Sequence, residues 1–286
     1  MNEDAYGATV AKRRLSRRLA VMRARSGLNV NEATDKLGWR RGRLGRIEGN
    51  DWRLPEGSFI RDLARIYGAS EEETAELEDL TRRASARPWW RSYEDVFGKG
   101  NEFPGFESDA AKISVYMPLV VPGLLQTPAY IEAQMRVGPW SEQWRERALA
   151  ARLRLQRILD RTDGTAPRLA AVITEASLLY RWGTQDDRRA QVAHLAAISR
   201  RPHVELRLLR LAGGLHPGMI SQINLFDFPD DEDPSVVYLE NDIGIQQVTK
   251  ADDVTHYTTV FGHIRDAALP PTATTTYLQK LTRTLR

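Results

Sequence analysis

The 286-residue sequence contains no cysteine. That absence removes disulfides, thiolate zinc sites and a cysteine nucleophile together, and it fits a cytosolic setting. Long apolar runs are missing as well, since no segment approaches the roughly 18 consecutive apolar residues of a membrane span. The opening, "MNEDAYGATVAKRRLSRRL", puts acidic residues before basic ones and has no apolar core, which argues against a signal peptide. The expected location is cytoplasmic, with no membrane partner.

Motifs for catalysis and metal binding are equally scarce. The five histidines are His194, His203, His216, His256 and His263. His256 and His263 stand seven apart on an expected helix, with Asp252 one turn earlier, but no third ligand or supporting partner is visible. "FPDDEDP" gathers four carboxylates in a proline-bounded loop without the spaced oxygens and glycine of a calcium loop, so it reads as a solvated turn. "LAGGLHPG", residues 211–218, offers backbone amides to an anion, yet lacks a P-loop lysine and a following helix. It reads as a loop between strands. There is no nucleophile elbow, kinase set or dinucleotide fingerprint. The expectation is a protein without enzymatic activity, cofactor or metal.

What is present is a charge asymmetry. Between Thr9 and Ile66 the sequence holds 15 Lys/Arg against 6 Asp/Glu, a balance of +9, so the rest must carry −6 to reach the chain's +3. A concentrated basic segment on an otherwise acidic chain points to a polyanionic partner. The apolar fraction of 42% can supply a real core, and the length suits about two domains.

The basic segment breaks into short helical pieces. In "VAKRRLSRRLAVMRARSG", Leu15, Leu19 and Met22 recur at helical spacing and Gly27 supplies the stop. "LNVNEATDKLG" offers Asn29 as N-cap with Glu32 three residues later, and Gly38 ends it. Farther on, Ile60, Leu63, Ala64 and Tyr67 form an apolar stripe stopped by Gly68. Ser70 with Glu73 then caps an acidic helix carrying Leu77 and Leu80. Five short helices make an all-α domain.

Between the second and fourth pieces lies "GWRRGRLGRIEGN". On a wheel of 100° per residue starting at Arg40, Leu44 and Ile47 face the core. Arg41, Gly42, Gly45 and Arg46 share the opposite arc, with Arg43 on its flank. Interior glycine costs a helix roughly 1 kcal/mol, so two on the outward face suggest a backbone that must approach a surface closely. A DNA major groove admits one helix and presents guanine acceptors that suit arginine forks.

"LNVNEATDKLGWRRGRLGRIEGN" resembles the helix-turn-helix of the lambda-repressor-like (XRE/Cro) family, through Leu28, Leu37, Gly38, Leu44, Ile47 and the "RIEGN" ending. The resemblance covers roughly residues 12–70 and implies that the second helix of the pair enters the major groove of double-stranded DNA. Carried over by position, Arg41, Gly42 and Arg46 would lie over base edges. Arg40 and Arg43 would touch base edges or phosphates, and Asn29 a phosphate. Arg23 and Glu48 match a pair that in relatives joins the first helix to the end of the recognition helix. The sequence departs from the pattern at Arg40, where relatives carry a Ser or Thr cap, at Val30, where they carry Gln, and at Thr34, where they prefer a smaller residue.

Residues 84–90 read as a linker, after which Trp89 and Trp90 are expected to anchor the C-terminal core. The division is then 9–83 for the helix-turn-helix domain and 91–286 for a mixed α/β domain. In the latter, the run Ser108–Tyr116 alternates helix formers with apolar residues. Thr127 and Pro128 open a helix closed by Gly138, and a long helix follows Ser141. "RLAAVIT", "HVELRLL", "SQINLFDF" and "SVVYLE" read as strands, with a helix near Asp187–Ser199 between the first two and two helices from Ala251 to Arg286. The fold class is therefore α+β, an all-α helix-turn-helix domain followed by a small sheet covered by helices.

"VPGLLQTPAY", "RLRLQRIL", "VITEASLLYR", "AGGLHPG" and "VVYLEN" resemble, block by block, the C-terminal domain of unknown function of the WhiJ-like actinobacterial regulators. That resemblance implies transcription regulation, with the C-terminal domain receiving a signal from a ligand or from a small protein partner in an antitoxin-like arrangement. Three readings stay open: a sequence-specific DNA-binding transcriptional regulator, an antitoxin-like interaction protein with DNA binding secondary, and an enzyme with an appended DNA-binding domain. Two half-sites about one helical turn apart would make the regulator a homodimer, joined through its C-terminal domain.

Overall fold

The computed structural model describes residues 7–52, 57–219, 222–241 and 244–285. Residues 1–6 of the opening, Ser221 at the head of the third strand run, and Arg286 lie outside the described residues. The chain divides into two compact units, one formed by residues up to Ser92 with Pro104–Asp109, the other by Tyr93–Phe103 with the chain from Ala110 onward.

The first unit is helical: α1 (Ala8–Arg25), α2 (Val30–Lys36), α3 (Arg43–Glu48), α4 (Gly57–Ile66) and α5 (Glu71–Ala84). Leu15, Leu19 and Met22 of α1 are buried and meet Ala33, Leu44, Ile47, Ile60, Leu63, Leu77 and Leu80 in one core. Full burial of each large aliphatic contributes about 1.5–3 kcal/mol, which is what holds such short helices in place. Both expected capping boxes form, Asn29 with Glu32 and Ser70 with Glu73.

Two short helices follow, α6 (Glu94–Phe97) in the second unit and α7 (Phe103–Asp109), of which Pro104–Asp109 returns to the first. This return closes an end that the local sequence leaves open. Gly7 at the head of α1 has no side chain to cap it. The Asp109 carboxylate does so instead, accepting from Gly7 N at 2.7 Å and from Thr9 N and Val10 N at 3.2 Å each. Trp90, expected in the C-terminal core, is buried within the first unit instead.

The second unit carries a six-stranded mixed sheet of order β3-β2-β1-β4-β5-β6. Its strands are β1 (Lys112–Met117), β2 (Arg168–Thr174), β3 (Val204–Leu209), β4 (Ile223–Asp227), β5 (Val236–Asn241) and β6 (Gly244–Val248). β1, β2 and β3 run parallel, while β4, β5 and β6 continue antiparallel from β1. The parallel steps are bridged by α8 (Pro128–Arg136) with α9 (Glu142–Gln156), and by α10 (Glu175–Leu179) with α11 (Gln185–Ile198). Helices α12 (Ala251–Ala267) and α13 (Pro271–Thr284) complete the unit, and α12 packs Phe261 and Ile264 onto a sheet face that includes Tyr116, Val172, Ile223 and Val237.

The run Ser108–Tyr116 does not continue as a helix. Its second half is the central strand β1, and Ile113, Ser114, Val115 and Tyr116 are all buried, so the apolar-polar alternation of a half-exposed strand is absent. The "VPGLLQT" and "RLRLQRIL" blocks form a polar brace. Gln126 Nε2 donates to Val121 O at 2.7 Å, and Gln156 Nε2 donates to Gly123 O at 2.7 Å and Gln126 O at 2.9 Å. Gln191 accepts from Thr127 N at 2.7 Å and donates to Leu125 O at 2.8 Å.

Candidate nucleic-acid interface

The site begins at the turn after α2. Gly38 N bonds Asp35 O at 3.1 Å and Trp39 N bonds Thr34 O at 3.0 Å, which stops α2 and reverses the chain. Arg40, Arg41 and Gly42 then form a non-helical turn, and α3 starts only at Arg43. Arg40, Arg41 and Gly42 thus lie outside the helix that a wheel starting at Arg40 assumes. Gly42 is not inside the helix but is its N-cap, with φ of 80° and no side-chain cap. A residue with a Cβ pays about 1–2 kcal/mol in that left-handed conformation, so glycine is demanded by the backbone at this point. Gly45 alone is a helix-interior glycine; it is exposed, and an added Cβ there would meet nothing within 4 Å.

The far end of α3 is closed by Asn50, whose φ of 62° is the one left-handed non-glycine conformation among the described residues. Asn50 N bonds Ile47 O at 3.1 Å and Asp51 N bonds Arg46 O at 2.8 Å, a Schellman arrangement. Leu44 and Ile47 point into the core, as their spacing implies.

Two devices fix α3 against its neighbours. Arg23 of α1 grips Glu48 through Nε–Oε1 at 2.8 Å and Nη2–Oε2 at 3.0 Å, and its Nη1 donates to Leu28 O at 2.9 Å. The hydrogen bond to Glu48 raises the Arg23 pKa above its ordinary value. At the other end, the Arg43 guanidinium lies 3.8 Å from the Phe59 ring centroid and 4.8 Å from that of Trp39. These two rings meet edge to face at 5.3 Å. Cation–π contacts of this kind contribute about 0.5–2 kcal/mol, so Arg43 ties the first turn of α3 to α4.

The basic residues separate into two groups. Arg18 pairs with Glu76, Arg25 with Glu73, Arg61 with Glu78 and Arg65 with Asp62. Arg40, Arg41 and Arg46, all exposed, have no carboxylate partner among the described residues. Asn29 is also exposed, but its Oδ1 accepts from Glu32 N at 2.9 Å, which leaves its Nδ2 as the group with free capacity.

Other candidates do not assemble into sites. His256 and His263 lie exposed on α12, and among the described residues no cluster of three or more His, Asp or Glu could hold a metal. The "FPDDEDP" segment is a turn in which Asp230 Oδ1 accepts from Glu232 N at 2.9 Å. On the basic face of α9, Arg147 is already held by Asp95 at 2.7 and 2.8 Å. Among the described residues no helix is long and apolar enough to cross a membrane.

Two short helices joined by a tight turn, with exposed arginines on that turn and on the outer face of the second helix, define a helix-turn-helix, a class of domain that binds DNA. Residues 14–77 match the family described as a helix-turn-helix domain. Residues 101–280, more than half of the sequence, match the domain of unknown function DUF5753, and the chain belongs to that family. No curated protein and no solved structure matches it.

Proposed function

We propose that the chain is a sequence-specific transcriptional regulator of the XRE/Cro type, with a WhiJ-like C-terminal domain that receives a signal. It acts in the cytoplasm as a homodimer on operator DNA and carries out no catalytic step. The reader is taken as the first unit, to Ser92 with Pro104–Asp109, and the remainder of the chain as receiver.

One observation carries this reading. Of the arginines on the first unit, Arg40, Arg41 and Arg46 lack carboxylate partners among the described residues, whereas Arg18, Arg23, Arg25, Arg61 and Arg65 have them. Clustered like charges destabilise a fold unless an outside anion neutralises them, and a phosphate backbone beside guanine edges does so while using the guanidinium fork. In this reading Arg41 and Arg46 face base edges and Gly42 sets the backbone of the approach. Arg40, Arg43 and Asn29 sit toward the flanking phosphates.

Genome-wide mapping of bound fragments, followed by mobility shift on the enriched sequences, tests the proposal. The expected result is a shared motif with two half-sites about one helical turn apart. Arg46→Ala is expected to weaken specific binding by about 1–3 kcal/mol. Absence of any enriched sequence, or binding unchanged by Arg46→Ala, Arg41→Ala and both together, overturns it.

A further inference from the structure

The carboxyl ends of the parallel strands β1, β2 and β3 all open on the same rim of the sheet, and β4 enters from that rim beside β1. In open sheets with mixed connections, this is the rim on which ligands bind. Of the nine large apolar side chains that are exposed among the described residues, six fall in the segments leaving these strands. They are Leu119 after β1, Leu179 and Tyr180 after β2, and Leu211, Leu215 and Met219 after β3, with Leu215 at 89% exposure.

Beneath this apolar rim are two polar atoms that nothing among the described residues satisfies. Tyr116, next to last in β1, is completely buried, and its hydroxyl has no hydrogen-bond partner among the described residues; nor does the buried His216 Nδ1. The two rings meet edge to face at 6.0 Å. The tip of the Tyr116 ring lies directly under the 216–218 turn, because a Cβ on Gly218 would come within 2.6 Å of Tyr116 Cε1 and 2.9 Å of Cζ. Leaving a buried hydroxyl unsatisfied is costly, and paired polar groups are the rule.

The local charge is already balanced. Glu175, at the start of α10, accepts from Leu211 N at 2.6 Å and Arg210 Nε at 3.1 Å, anchoring one end of the loop. Burial pushes the Tyr116 hydroxyl up to about 12 and the His216 imidazole down, so both are neutral near pH 7. An ionised ligand would find no counter-charge in these two groups.

We infer that the rim formed by the segments after β1, β2 and β3 is a binding site for a neutral, largely apolar small molecule, whose single polar group hydrogen-bonds Tyr116 Oη and His216 Nδ1 beneath the 216–218 turn. This deepens the proposed receiver role of the second domain and rests on it. A second copy of the chain laid across the rim would cover the leucines but leave the hydroxyl under Gly218 unsatisfied, which is why a small molecule is favoured as the occupant.

Nile red, a neutral apolar dye with a carbonyl acceptor, serves as the probe in fluorescence titration of the full chain. Wild type is expected to bind saturably at one site with a blue-shifted emission. Tyr116→Phe should weaken that binding about 3–10-fold through loss of one hydrogen bond. The double change Leu215→Ser and Met219→Ser, both on exposed positions, should weaken it more than about tenfold, with circular-dichroism melting confirming the fold of each variant. Non-saturable binding, or equal affinity in wild type and both folded variants, overturns the inference. So does sedimentation showing a wild-type dimer that the double serine variant dissociates while dye binding is unaffected. Mobility shift on the same samples keeps the readings apart: a site-dependent dye signal supports the rim site whether or not DNA is bound.

Discussion

Arg40, Arg41 and Arg46 are exposed and lack carboxylate partners, while Arg18 and Arg25 are held by Glu76 and Glu73 at 2.7 and 2.5 Å. The two sets therefore differ in what they can release on binding DNA. An arginine that neutralises one phosphate charge, at the backbone or from within the groove beside a base edge, displaces about 0.9 condensed counterion from duplex DNA. Changing Arg40, Arg41 and Arg46 together to Gln should flatten the slope of log K against log salt by about 2.7 per protomer. Between 50 and 200 mM salt, wild-type affinity should consequently fall about 40-fold further per bound protomer than that of the triple variant, and on the order of 1,000-fold further for a dimer on both half-sites. Arg18→Gln with Arg25→Gln is the control, and its slope should shift by less than about 1, because those guanidiniums are already neutralised. Fluorescence anisotropy on a labelled operator across four salt concentrations measures both. Equal slopes for the triple variant and the control would refute the reasoning, since the unpaired arginines would then not be neutralising the charge of the duplex.

Replacement of Asp109 by Ala leaves three amides at the head of α1 without their acceptor and should destabilise the first unit by about 2–3 kcal/mol. Hydrogen exchange should then be about 30–150-fold faster in α1 and unchanged in β2, and equal protection of α1 in both proteins would contradict the cap. Gly42→Ala should cost about 1–2 kcal/mol by chemical denaturation, whereas Gly45→Ala, helical and unobstructed, should stabilise by up to about 1 kcal/mol. Effects of the same sign would show that both glycines share one conformation. Arg25 and the Ser70 amide hold the Glu73 carboxyl down to about 2 from its ordinary 4.5. Its contribution is thus in place above about pH 4.5 and lost as pH falls from there towards 2. The melting difference between wild type and Glu73→Gln should shrink over that window, and a difference independent of pH would remove the linkage.

Local chemistry was readable from the sequence wherever a cap or a stripe is built from residues near one another. Asn29 with Glu32, Ser70 with Glu73, Thr127 before Pro128, and the buried row Ile60, Leu63, Ala64 all sit where their spacing places them. Arg23 and Glu48 are 25 residues apart, and only the family resemblance brought them together. The sequence pattern failed at β1, buried on both faces and hence without the exposed polar face that marks a half-buried strand, and at β6, whose exposed Gln246 and Gln247 carry no apolar run. It also failed at Gly42, because periodicity records which face a residue occupies and not the sign of its φ. Among the candidate interface residues, the exposure of Arg41 and Arg46 agrees with the wheel, although Arg41 precedes the helix on which the wheel placed it. Tyr116 left no signal beyond belonging to an apolar run, since an unsatisfied hydroxyl is defined only by what fails to surround it.

The Asp109 cap also bears on how such proteins exchange parts. A recombination point placed in the obvious joint between residues 85 and 103 would supply the incoming first helix with a foreign stretch at 104–109, and with it a foreign acceptor or none. Only breakpoints beyond Asp109 transplant the reader with its own fastening. Hybrids assembled by cutting at the tryptophan pair should therefore be less soluble and more easily proteolysed than hybrids joined at Ala110.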